Sequence, residues 1–114
     1  MILKWIKCTV PIQSRDAFSK AQEGWIDVQN SKGFIRQMGG WHKKKKNLAH
    51  IFALWETIED LEHFMKHDHD IIYHNSGQKE TYASSIIDIQ EGNVDYLNWF
   101  IERQKIKYVK EWLI

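Results

Sequence analysis

The spacing of apolar residues changes several times along the chain, and each change marks a predicted strand or helix. Residues 48–55 alternate between two faces that are both largely apolar, which predicts a strand buried on both sides. Residues 61–72 carry apolar side chains at helical spacing, which predicts an amphipathic helix interrupted near the acidic and histidine-rich turn at 67–70. Thr57 is the predicted N-cap of this helix.

The same reading predicts three more strands and one more helix before residue 92. The strands are expected at 2–10, 34–41 and 82–90, and the helix is expected at 15–30. The paired glycines at 39–40 indicate a bulge, a bend or the close approach of another group. The order is β-α-β-β-α-β, which is the ferredoxin-like arrangement of an α+β fold.

In that arrangement both helices cover one face of the sheet, and the other face is expected to be bare and apolar. An exposed apolar sheet requires a partner, so we predict a homodimer in which two sheets pack face to face as a dimeric α+β barrel. Residues 1–92 form the predicted domain. Residues 93–114 form a C-terminal extension, which is expected to pack on the domain or on the partner subunit.

Composition excludes several classes of protein and partner. The chain has 114 residues, 43% hydrophobic and 27% charged, with a net charge of +1, which indicates one globular domain without a nucleic-acid partner. A single cysteine, Cys8, excludes an internal disulfide. We expect a cytoplasmic protein without a membrane partner, since no secretory signal is recognised and no apolar run approaches the roughly 20 residues of a membrane span. Six tryptophans favour an aromatic pocket or a broad interface.

The segment from Trp55 to His74, with Phe64 between them, resembles the antibiotic biosynthesis monooxygenases, and within them the haem-degrading branch. The resemblance covers roughly residues 1–92 and implies a planar, largely apolar ligand between the sheet and the second helix. Haem is the first candidate cofactor: His74 falls on the axial iron ligand and Phe64 on the side chain that presses on the porphyrin. An asparagine that this branch carries on the first strand falls on Lys7 or Cys8, which makes these two the candidate catalytic residues.

The opening ILKWIKC and the GGW at 39–41 also resemble a small family of uncharacterised bacterial proteins in the same superfamily. That resemblance implies no activity. Three functions therefore stay open: a monooxygenase-like protein that binds haem or another planar ligand, a non-enzymatic ligand-binding or stress-related dimer, and a cofactor-free oxygenase acting on a quinol-like substrate.

Three other sequence features have a structural and a functional interpretation. His63 and His67 lie one helical turn apart and could share a metal with Asp70, but a solvated polar turn is the favoured interpretation. The lysines at 43–46 are interpreted as a solvated hairpin tip rather than an anion site. The following aromatic side chains could line a pocket or simply form the core and a dimer interface: Trp5, Phe34, Trp41, Phe52 and Trp55.

Overall fold

The structure is a computed structural model that describes all 114 residues. It contains one five-stranded sheet with the strand order β4-β1-β3-β2-β5, and every neighbouring pair is antiparallel. The elements are β1 (Ile2–Thr9), α1 (Arg15–Gln22), β2 (Phe34–His42), β3 (Leu48–Trp55), α2 (Ile58–His67), α3 (His69–Ser76), β4 (Ser84–Glu91), α4 (Val94–Arg103) and β5 (Ile106–Tyr108). The predicted α+β, ferredoxin-like class is confirmed.

The local signals in the sequence act where they were expected. β3 has the predicted bounds and is buried along nearly its whole length. The Thr57 hydroxyl caps α2 by accepting the Asp60 N–H at 3.1 Å. The long second helix is interrupted at Asp68, and α3 ends at Gly77, whose φ of 72° is left-handed. The helix predicted at 15–30 is α-helical only as far as Gln22 and continues as a 3-10 helix over Glu23–Asn30.

The paired glycines of β2 are explained by close backbone approach. A Cβ atom on Gly39 would collide with the carbonyl oxygen of His50 on β3, and one on Gly40 would collide with that of Lys107 on β5. Neither obstacle is a flexible side chain. These two glycines therefore let β2 lie tightly between two strands.

The two faces of the sheet are both covered within one chain. The helices α1, α2 and α3 and the 3-10 helix lie on one face, and α4 lies on the other, where Leu97 and Phe100 pack against Leu3, Phe52 and Leu54. The prediction of a bare second face is therefore wrong, because the C-terminal segment supplies a helix that covers it. The two-sided apolar strands have an intramolecular explanation and do not by themselves require a second subunit.

None of the helices combines the length and the apolar character that a membrane span requires.

Candidate functional site

A cavity of about 270 Å³ lies between the sheet and the helices α2 and α3. Its wall is largely hydrophobic and includes the aromatic side chains of Trp25, Trp55, Phe64 and Tyr73. The indole of Trp55 and the ring of Phe64 lie 5.0 Å apart between centroids. Small-molecule sites commonly measure about 300–1,000 Å³, so the cavity suits a small ligand of a few fused rings.

The floor of the cavity is a row of three residues across the middle of the sheet. Ala53 on β3 is the register partner of Lys4 on β1 and of Gln37 on β2. Because register partners project to the same face of a sheet, the two longer side chains flank the methyl group of Ala53. The small side chain in the centre of this row leaves the space above it open.

Lys4 places a positive charge in these apolar surroundings. Only 5% of the residue is exposed, and its Nζ atom has one polar neighbour, the Met65 sulfur at 3.1 Å. No carboxylate forms an ion pair with it, and the residues that line the cavity include no Asp or Glu. Burial lowers the pKa of Lys4 from 10.5 to about 8, because a charged amine loses its hydration there.

Two further hydrogen-bond donors in the wall also lack an acceptor. The Gln37 amide nitrogen and the Trp55 indole nitrogen are both buried without a partner. Buried donors are satisfied in the great majority of cases. The floor of the cavity and its adjoining wall thus hold three donor groups that lack an oxygen acceptor.

The opposite side of the cavity is polar but fully paired. The Trp25 indole N–H donates to Gln78 at 2.8 Å, and the Gln78 amide donates to Gln22 at 2.6 Å. The hydroxyls of Tyr73 and Tyr82 hydrogen-bond to each other. Burial, and next the bond to Tyr82, raise the pKa of Tyr73 above its usual value, so this phenol is neutral at physiological pH.

Three of the residues singled out from the sequence lie in the cavity wall: Cys8, Trp55 and Phe64. Burial raises the pKa of Cys8 to about 12. The thiolate is the reactive form of cysteine, so Cys8 is an inert thiol at neutral pH and contributes shape rather than nucleophilic chemistry.

The other two predicted site residues do not reach the cavity. Lys7 lies on the opposite face of the sheet, with its Nζ 4.6 Å from the centroid of the Trp5 ring, because odd and even residues of β1 alternate between faces. His74 is exposed on α3 and is not among the lining residues. The histidine in the wall is His69, whose ring stacks on Tyr73 with centroids 5.7 Å apart.

The structure supports neither the metal site considered at His63, His67 and Asp70 nor the anion site considered at the lysines 43–46. The rings of His63 and His67 lie with their centroids 4.3 Å apart, but no group of three or more His, Cys, Asp or Glu side chains is positioned to hold a metal ion. The lysines at 43–46 are exposed at the hairpin tip, as expected.

Sequence reasoning missed Lys4 and Gln37 as site residues. The signal for Lys4 was present, since it shares its face of the first strand with Ile2, Ile6 and Cys8 and is the one charged residue among them. No comparable signal marks Gln37, which lies in a strand of mixed character.

Comparisons with known proteins place the chain in a family. Residues 2–90 match the model of a domain of unknown function, DUF4937. The chain belongs to this family. It is also 32% identical to the Bacillus subtilis (strain 168) protein named "Uncharacterized protein YdbC", over 100% of this chain and 98% of the relative.

Solved structures show the wider fold group. A protein from Nitrosomonas europaea, named as a candidate antibiotic biosynthesis monooxygenase, superposes with a TM-score of 0.67 at 14% identity, covering 81% of this chain and 98% of its own. SnoaB, a cofactor-independent oxygenase from Streptomyces nogalater, gives a TM-score of 0.62 at 11% identity, with 81% and 92% covered. The chain thus has the fold of the antibiotic biosynthesis monooxygenase-like proteins.

Proposed function

We propose that this protein binds a small, planar, largely apolar molecule in the cavity between the sheet and α2–α3, and that it oxygenates this molecule without a cofactor. The observation that carries the proposal is the cavity itself, an aromatic-walled space of about 270 Å³ above Ala53. The fold shared with monooxygenase-like proteins, one of them named a cofactor-independent oxygenase, supports the choice of reaction.

Haem fits this geometry poorly. The predicted histidine ligand would have to direct an imidazole nitrogen at the iron, but His74 is exposed outside the cavity. His69 is the histidine in the wall, and its ring is stacked on Tyr73. The cavity is also below the usual range for drug-sized ligands, and a porphyrin needs considerably more. We therefore expect the wild type and His74→Ala to respond alike when they are titrated with haemin, without a Soret shift that depends on His74.

The cavity can be tested by filling its floor. Ala53→Leu places a larger side chain between Lys4 and Gln37, so it should abolish binding of a flat two-ring probe such as 2-naphthamide in calorimetric titrations. Ala17→Leu, on the exposed surface of α1, is the matched control and should bind like the wild type. Equal binding by Ala53→Leu would place the ligand elsewhere and contradict the proposal.

Oxygen uptake separates the enzyme from a binding protein. Anthrone-like and quinol-like substrates should be consumed with oxygen by the wild type and not by Ala53→Leu. Probe binding in the cavity without any oxygen uptake would favour the alternative, a non-enzymatic ligand-binding dimer of the same fold.

We also propose that the protein is a homodimer, on an argument from β4 rather than from a bare sheet face. β4 is an edge strand, and its isoleucines Ile86, Ile87 and Ile89 are 65%, 52% and 49% exposed. A long apolar edge is a surface on which another chain can pack or pair. Ile87 also lines the cavity, so a second copy packed there would close its open side.

Sedimentation velocity at micromolar concentration tests the dimer. The wild type should sediment as a dimer, Ile89→Lys, on the cavity face of β4, should dissociate it, and Ile71→Lys should leave it intact because Ile71, 63% exposed, lies on α3 away from the edge. A monomeric wild type, or a dimer that Ile89→Lys does not weaken, would contradict the assignment of β4.

A further inference from the structure

We propose that the natural ligand of the cavity carries an anionic oxygen, which Lys4 binds with Gln37 and Trp55 as further donors. This inference rests on the proposed ligand site and specifies the chemical class of its occupant: a planar aromatic acid, either a carboxylate or an ionised phenol.

The first argument is the charge balance of the cavity. Its lining contains one buried ammonium group and no carboxylate. A buried cation without a partner is unfavourable, and such charges are normally paired. The partner that the chain itself does not provide is an anion, and the cavity gives an anionic ligand room beside Lys4.

The second argument is that the unpaired polar groups of the cavity wall are hydrogen-bond donors. The Lys4 ammonium has only a sulfur neighbour, and the Gln37 amide and Trp55 indole nitrogens have no partner. An anionic oxygen beside the Nζ atom accepts from Lys4, whereas a purely apolar ligand leaves all three donors without an acceptor. Charge-assisted hydrogen bonds of this kind are shorter and stronger than neutral ones.

The third argument is position. Lys4 and Gln37 flank Ala53 in one cross-strand row, with adjacent strands about 4.8 Å apart, so their side chains can converge on one group above the Ala53 methyl. Trp55 lies two residues further along β3 on the same face. The paired side of the cavity, where Gln22, Trp25 and Gln78 hydrogen-bond to one another, offers no such free donors. The acid group should thus face the sheet, with the rings against the aromatic wall that Trp55 and Phe64 form.

Matched probes test this assignment. By isothermal titration at pH 7, the wild type should bind 2-naphthoate at least about tenfold more tightly than 2-naphthamide, since a hydrogen bond to a charged group is worth at least that factor. Lys4→Met should lose this preference and retain the affinity for the amide. Gln37→Leu should reduce the preference in part. Lys46→Met, at the exposed hairpin tip, is the control and should behave as the wild type.

A third probe, 2-naphthol, separates the two sources of the anion. If the site stabilises a phenolate, bound naphthol ionises and its absorbance moves to longer wavelength, an effect that Lys4→Met should abolish. Preference for the naphthoate or ionisation of the naphthol supports the inference, provided that Lys4→Met removes it.

The failures are distinguishable. If the wild type binds the amide and shows neither the preference nor the ionisation, or if Lys4→Met keeps them, Lys4 does not recognise an anion and the proposed cavity site survives. If neither naphthoate nor naphthamide binds, the cavity is not a ligand site and both proposals are wrong.

Discussion

The substitution Lys4→Met is expected to stabilise the protein at neutral pH, which is unusual for a change at a buried position. Methionine keeps most of the length of lysine and removes the charge. A pKa that falls from 10.5 to about 8 corresponds to a destabilisation of about 3 kcal/mol, because each pH unit of pKa difference is worth about 1.4 kcal/mol. With 5% of the residue exposed, solvent screening reduces this figure little.

The pH dependence has a definite sign. Because its pKa is lower in the folded state, Lys4 holds fewer protons there than in the unfolded state between about pH 8 and 10.5. Its contribution to the free energy of unfolding therefore rises with pH across this window. Below about pH 8 the wild type bears the full penalty, and above 10.5 the penalty is gone. The advantage of Lys4→Met should thus be about 3 kcal/mol at pH 7 and should vanish near pH 10.5.

Urea unfolding of the wild type, Lys4→Met and Lys46→Met at several pH values measures this difference. Comparing variants is necessary because Cys8, whose pKa is raised from 9.0 to about 12, lowers the stability of all of them alike above about pH 9. Lys46→Met should follow the wild type throughout. If Lys4→Met is less stable than the wild type at pH 7, or its advantage does not shrink as the pH rises, Lys4 is not a desolvated, unpaired cation and the reasoning fails.

Three smaller predictions concern the rest of the fold. His50, whose pKa is lowered from 6.5 to about 4 chiefly by burial, should stay neutral in NMR titrations to about pH 5. As the pH falls from 6.5 to about 4, keeping His50 neutral should lower the free energy of unfolding by about 3 kcal/mol. This loss should be absent from His50→Gln and retained in His74→Gln. Gly39→Ala should destabilise the protein by about 2 kcal/mol or more in urea unfolding, because the new Cβ meets the backbone oxygen of His50; an unchanged midpoint would contradict this. Thr57→Ala should cost about 1 kcal/mol by the same measurement through loss of the cap, whereas Thr57→Ser should not.

The sequence predicts much of this fold because periodicity and caps are local. The alternation over 48–55 and the Thr57 cap each act within a few residues, and each appears in the structure where it was expected. The position of α4 is different. Its amphipathic pattern predicts a helix, but many apolar surfaces can bury such a stripe. Only the assembled sheet shows that Leu97 and Phe100 pack on the sheet face opposite the other helices.

The sequence predicts the aromatic wall of the site but not the buried charge of Lys4 in its floor. Trp55 and Phe64 follow from a resemblance that concerns the scaffold, and they line the cavity. Lys7 follows from the same resemblance, although strand alternation puts it on the other face of the sheet. The sequence marks Lys4 only as the one charged residue on an apolar face of the first strand. What distinguishes it is the absence of a carboxylate nearby, and that depends on every element packed around it.

The stability and binding of Lys4 variants should change in opposite directions, and this opposition separates a functional lysine from a structural one. In the empty cavity the ammonium group and the two unpaired donors lower stability. A ligand that supplies an anionic oxygen removes that penalty, and it stabilises the folded state in proportion to its affinity. Saturating 2-naphthoate should therefore raise the Tm of the wild type more than that of Lys4→Met, although the variant begins from the higher Tm. A lysine whose role is only to pack its methylene chain predicts the reverse: a less stable variant, with an equal response to the ligand.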